Sequence, residues 1–203
     1  MKTILVYPVI ILVVFILGLL LFGGAGHQEK MPQQETMASF TDFMAGKLNP
    51  EAPTETKQLG QLAGVWEAEQ TIWQKDGSWS EEKTKAEWRW YYILAGHAIQ
   101  DDWYSVDSTN TLQWIGTNIR IYSPEEKLWH MAWIDKNNRR LATFTAIYEN
   151  DAVIMSGKNA QGRQIKNTFY NMTNSDFDWK QEWTFDEGNS WVEVARIYCK
   201  RKT

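Results

Sequence analysis

The sequence predicts an all-β chain: a closed antiparallel barrel of about ten strands, preceded by an N-terminal hydrophobic helix and a short linker helix. Three observations carry that prediction. From Leu62 onward, short runs rich in Trp, Tyr, Ile, Val and Thr alternate with polar residues at a period of two. Turn-forming clusters separate the runs, among them Lys75-Asp76-Gly77, Ser123-Pro124-Glu125-Glu126, Lys136-Asn137-Asn138 and Asp186-Glu187-Gly188-Asn189. All twelve tryptophans lie after residue 60. Each buried ring removes roughly 150–250 Å² from water, so one domain of this length has ample apolar surface for a core.

The elements follow in chain order. Ile4 to Phe22 is a run of nineteen residues without a charge; as a helix it reaches roughly 28 Å, close to the hydrocarbon thickness of a bilayer. It reads as a single-pass anchor, being longer than a usual signal core. The alternative is a signal peptide cleaved near Gly23-Gly24-Ala25. In either case Lys2 ahead of the run places the following domain on the extracytoplasmic side, membrane-anchored or secreted. Residues 27–58 are a polar linker, in which Met37, Phe40, Phe43, Met44 and Leu48 recur at helical spacing before Pro50 and Pro53. The domain boundaries are therefore 1–26, 27–58 and 59–203.

Ten strands are expected near 63–74, 80–94, 97–106, 113–122, 128–135, 140–148, 152–158, 163–172, 176–185 and 190–200. A hairpin sheet of that size leaves long edges unless it closes into a barrel. Alternation assigns the inner face. Ala86, Trp88, Trp90 and Tyr92 share one side of the second strand, Trp129, Met131 and Trp133 one side of the fifth, and Trp179, Gln181, Trp183 and Phe185 one side of the ninth.

Composition excludes several classes. The net charge is −4 and no Lys/Arg cluster is dense enough for a nucleic-acid footprint. Cys199 is the single cysteine, so no intrachain disulfide forms, and the most economical reading is a small buried apolar side chain. His27, His97 and His130 are not spaced as metal ligands. No nucleophile elbow, phosphate loop or dinucleotide fingerprint is present.

The opening Leu59-x-x-Leu62-Ala63-Gly64-Val65-Trp66 resembles the first strand of calycin (lipocalin-like) barrels. There an arginine near the end of the last strand packs over the tryptophan, and the resemblance implies that Arg196 closes the barrel over Trp66. The stretch from about 56 to 202 is similar to a bacterial family of uncharacterised lipocalin-like proteins, the DUF1579-type group. Its matching pieces are Trp90–Trp103, Gly116–Pro124, Trp129–Asp135 and Asp176–Trp179, in that order. The chain departs from the pattern at His97, where the group usually has Arg, which puts in doubt an anionic ligand held by that arginine. The resemblance implies a fold and no established activity.

Within the barrel, adjacent Asp101 and Asp102 point to opposite faces, so they cannot act as a carboxylate pair. An inward Asp101 needs a partner, and Arg120 is the natural one. The candidate ligand-binding residues are Trp88, Trp90, Asp101, Trp103, Arg120, Trp133 and Trp183. Three functions are expected, in this order: binding of an apolar or planar small molecule, an enzyme using Asp101 as acid or base, and a filled structural or partner-binding envelope domain. No cofactor is expected. The nitrobindins, ten-stranded barrels that bind haem through a histidine, make haem ligation by His130 the minority alternative.

Overall fold

The computed structural model describes residues 46–202, apart from 108 and 110. Ten antiparallel strands form one closed barrel: β1 (Gly64–Ile72), β2 (Thr84–Ile93), β3 (Ala98–Val106), β4 (Leu112–Ser123), β5 (Leu128–Asp135), β6 (Leu141–Glu149), β7 (Ala152–Lys158), β8 (Gln164–Tyr170), β9 (Asp176–Trp183) and β10 (Val192–Arg201). Each strand pairs with its sequence neighbours, and β1 closes the ring on β10. Closure leaves no unpaired edge, which is why a long meander can stand alone in water.

The helical part of the prediction is corrected. Among the described residues no helix reaches seven residues, and the α-helix there is α1 (Thr56–Gly60). The expected linker helix over Met37–Leu48 is not seen in its described part: residues 46–49 are irregular, with Gly46 at φ +60°. The rest of that segment and the hydrophobic run 4–22 lie outside the described residues. Among the described residues no helix is long and apolar enough to cross a membrane. The short helix Thr56–Gly60 falls where Pro53 suggests a stop. Instead Pro53 opens the turn: Thr56 N–H donates to its carbonyl at 2.9 Å, and a proline costs a helix least at its start.

The barrel is filled at one end and open at the other. At the filled end Leu59, Leu62 and Trp66 are fully buried. Trp66 packs edge-on against Phe177 at 4.7 Å, and its indole N–H donates to the Leu62 carbonyl at 2.7 Å. Above it Trp88 lies within 5.0–5.7 Å of Trp90, Trp103, Phe169 and Phe177. Edge-to-face pairs at such spacings add to burial itself, on the order of 1 kcal/mol each.

The closing arginine is Arg201, and the assignment of Arg196 is corrected. The Arg201 guanidinium lies 4.0 Å over Trp66. It donates to the carbonyls of Asn174 at 2.6 Å, Ala63 at 2.8 Å and Gln61 at 3.0 Å. Trp66 pairs with Arg201 across β1 and β10, whereas Arg196 pairs with Thr71. Arg196 is exposed, outside the barrel, stacked over Trp79 at 3.8 Å. Gly64 makes room for this closure: a Cβ there would lie 2.2 Å from an Arg201 Nη atom.

Candidate functional site

The open half holds a cavity of about 1180 Å³. Strand register builds its floor. One inward row runs Trp90, Asp101, Asn118, Trp133 and Ala142 as successive cross-strand partners over β2 to β6. The row beside it runs Trp88, Trp103, Gly116 and Asp135. Gly116 lets the Trp133 ring lie flat across β4, since a Cβ there would be 2.1 Å from that ring. The opposite wall is made by Asn167 and Phe169 of β8 with Gln181, Trp179 and Trp183 of β9.

At the floor Asp101 and Arg120 form an ion pair with both side chains almost wholly out of water. The Trp88 indole donates to the other Asp101 oxygen at 2.5 Å, so both carboxylate oxygens are engaged. The Arg120 guanidinium lies 4.4 Å over Trp90 and 5.6 Å from Phe169, a desolvated cation–π arrangement. Burial pulls the Arg120 pKa well down from its usual value. Arginine starts so high that the pair remains ionic at neutral pH. Arg120 Nε and Asn118 Oδ1 are buried without a partner.

Polar side chains form a second line along the β8–β9 wall. Trp183 Nε1 donates to Gln181 Oε1 at 2.9 Å, and Gln181 Nε2 donates to Asn167 Oδ1 at 2.9 Å. At the mouth Trp133 Nε1 donates to Asp135 at 2.9 Å, and Asp135 also caps the β5–β6 turn through Asn138 N–H at 2.6 Å. The mouth carries Lys83, Lys85, Arg140 and Lys158 together with Glu82 and Asp107.

The structure thus brings Trp88, Asp101, Trp103, Arg120, Trp133 and Trp183 onto one cavity. Trp90 is corrected: it is buried behind Arg120 and does not line the cavity. Phe185, expected on the inner face of the ninth strand, lies beyond the end of β9, is 63% exposed and stacks under Arg163 at 4.1 Å. His130 is on the outer wall, half-exposed, with its Nε2 in hydrogen-bond contact with Glu126 Oε2, and it does not line the cavity. Sequence reasoning missed Asn118 and Asn167 as cavity residues. The signal was available: Asn118 shares strand parity with Arg120, and Asn167 with Phe169.

Solved structures similar to this chain include two barrels. One is the S-type phycobiliprotein lyase CPES from Guillardia theta, at TM-score 0.52 and 8% identity, with 72% of this chain and 92% of that chain covered. The other is Rv2717c from M. tuberculosis, at TM-score 0.54 and 7% identity, with 75% of this chain and 100% of that one covered. The fold is a lipocalin-like barrel. No family model matches the chain, and no curated protein matches it. Identities this low establish shared architecture and leave activity to the site itself.

Proposed function

We propose that this lipocalin-like barrel binds a planar or apolar small molecule in its open half. The observation that carries the reading is the cavity of about 1180 Å³, walled by Trp103, Trp133, Trp179 and Trp183 and floored by a few fixed polar groups. Large apolar walls with a small number of oriented polar atoms are the usual make-up of a ligand pocket. A cavity of that size also speaks against a barrel filled throughout as a purely structural domain. The fold shared with a phycobiliprotein lyase supports small-molecule handling at the level of architecture. An acid–base role for Asp101 lacks support, because Trp88 and Arg120 occupy both of its oxygens. What supports kinship with the DUF1579-type group is the sequence resemblance of four pieces in order, Trp90–Trp103, Gly116–Pro124, Trp129–Asp135 and Asp176–Trp179. The uncharged run 4–22 supports an extracytoplasmic location, checked by cell fractionation with N-terminal sequencing of the mature chain.

The test is intrinsic Trp fluorescence of the purified full-length chain, titrated with fatty acids, isoprenoids, polycyclic aromatics, haem and oligosaccharides. Saturable quenching or a blue shift by an apolar or planar class, abolished by the cavity-narrowing Ala142→Phe, is the expected result. A folded chain that responds to none of them overturns the reading.

A further inference from the structure

We propose, building on the ligand-binding reading above, that the floor of the cavity selects a neutral hydrogen-bond acceptor, a ketone or amide carbonyl carried on a planar apolar body. The chemistry of the floor is a balance of charge and of donors, and the two point the same way.

Charge is closed. Arg120 is the buried cation of the floor, and Asp101 neutralises it at direct contact, with both side chains at most 2% exposed. An anionic head group entering here would sit beside the Asp101 carboxylate with one guanidinium shared between two anions. Its attraction to Arg120 would be largely cancelled by repulsion from Asp101, while the cost of taking it out of water would remain.

Donors are in surplus. A guanidinium carries five N–H groups, and in the structure Arg120 hydrogen-bonds to Asp101, with its Nε left unpartnered. Asn167 has its Oδ1 taken by Gln181, which fixes the amide orientation and leaves its Nδ2 as a donor on the cavity wall. Asn118 is 3% exposed, lines the cavity, and has an unpartnered Oδ1. The acceptors are nearly all spent: both oxygens of Asp101, Oδ1 of Asn167 and Oε1 of Gln181 are engaged. A ligand hydroxyl or amine therefore finds few acceptors, Asn118 Oδ1 and the Ser105 hydroxyl, whereas a carbonyl oxygen finds several donors, that hydroxyl among them. The rings of Trp103 and Trp133 above the floor give such a carbonyl a flat apolar slot.

The experiment is equilibrium dialysis of the full chain at pH 7 against three probes of one shape: 2-acetylnaphthalene, 2-ethylnaphthalene and 2-naphthoate. The ketone is expected to bind about tenfold more tightly than the hydrocarbon, the return on one or two hydrogen bonds to otherwise idle buried donors. In Asn167→Ala, which removes the free Nδ2 donor of the wall and leaves those of Arg120, that gap narrows about threefold, while the hydrocarbon keeps its wild-type affinity. Should that variant not fold, the wild-type rank order of the three probes carries the test. Equal affinity for ketone and hydrocarbon in the wild type overturns the proposal. So does a naphthoate that binds tightest and weakens in Asn167→Ala. Either result leaves the binding barrel standing; failure of all three probes to bind the folded chain overturns the ligand-binding reading with it.

Discussion

Replacing Arg120 with methionine should leave Asp101 as a fully buried carboxylate supported by one indole N–H, since Trp88 would be its remaining partner. Removing one member of a buried ion pair typically costs about 3–5 kcal/mol. The lost stacking of the guanidinium on Trp90, at 4.4 Å, adds to that at the level of ~1–2 kcal/mol for a desolvated site. A total near ~5 kcal/mol lowers the melting temperature by about 10–20 °C for a domain of this size. Asp101→Leu should be comparably harmful, because it strands the guanidinium and orphans the Trp88 indole. The double variant Asp101→Leu/Arg120→Met removes both charges at similar volume and retains one clear defect, the unpaired Trp88 N–H, at roughly 1–3 kcal/mol. It is therefore expected to be more stable than either single variant. The assay is urea denaturation followed by Trp emission, with the slope checked for constancy so that midpoints report stability. A double variant whose loss equals the sum of the two single losses would refute the reasoning, because the pair would then not be energetically coupled.

Four further outcomes are expected. Arg201→Ala should cost about 2–3 kcal/mol, since it removes the stack on Trp66 and three carbonyl contacts; Arg196→Ala, on the outer surface, should stay within about 1 kcal/mol in the same denaturation assay. Gly116→Ala should destabilise by about 1–2 kcal/mol and tilt the Trp133 indole into the cavity, seen as reduced probe uptake, because the new Cβ would lie 2.1 Å from that ring. Cys199 is fully buried, and burial pushes its thiol pKa up; Ellman's reagent should label it at the rate of global unfolding, and rapid labelling of the native chain would contradict its placement. Asp186 holds the loop between β9 and β10 through Ser190 and Thr184, and these bonds, Ser190 first, depress its carboxyl from 3.8 to about 2. A depressed folded-state pKa means the stabilisation is present above the ordinary carboxylate value and is lost as pH falls through about 2. Loop amide resonances should accordingly broaden between pH 4 and pH 2 in the wild type and already be broad at pH 7 in Asp186→Ala.

Much of the barrel is legible in the sequence because its information is local. The strand β5 falls at 128–135 and β7 at 152–158 in both prediction and structure, since a turn cluster marks each end of both. The inner faces of β2 and β5 follow from parity alone: Trp88, Trp90, Trp129 and Met131 are all buried. What was illegible depends on the third dimension. Arg196 and Arg201 are both plausible partners for Trp66 in a linear reading, and the register of β1 on β10 chooses between them. Even there a signal existed: Ile197, Cys199 and Arg201 share one parity, while Arg196, Tyr198 and Lys200 share the exposed one. The Trp90 assignment fails for a different reason. Parity says a side chain points inward, but depth along the barrel axis decides whether it meets the cavity or the packed end, and depth is set by the stagger of all ten strands. The short helix Thr56–Gly60 was not foreseen because proline punctuates both starts and stops, and Pro53 is a start.

The filled half and the hollow half of this barrel share every strand, yet they answer to separate demands. Trp66, Phe177, Arg201 and the aromatic ring around Trp88 anchor the ring of strands at one end. Side chains at the other end, such as Trp133, Ala142 and Asn167, line the cavity. Exchanging them alters what the molecule can hold while leaving most of its folding free energy untouched. Such a partition gives evolution, or an engineer, a receptor whose specificity can be searched without first losing the scaffold that displays it.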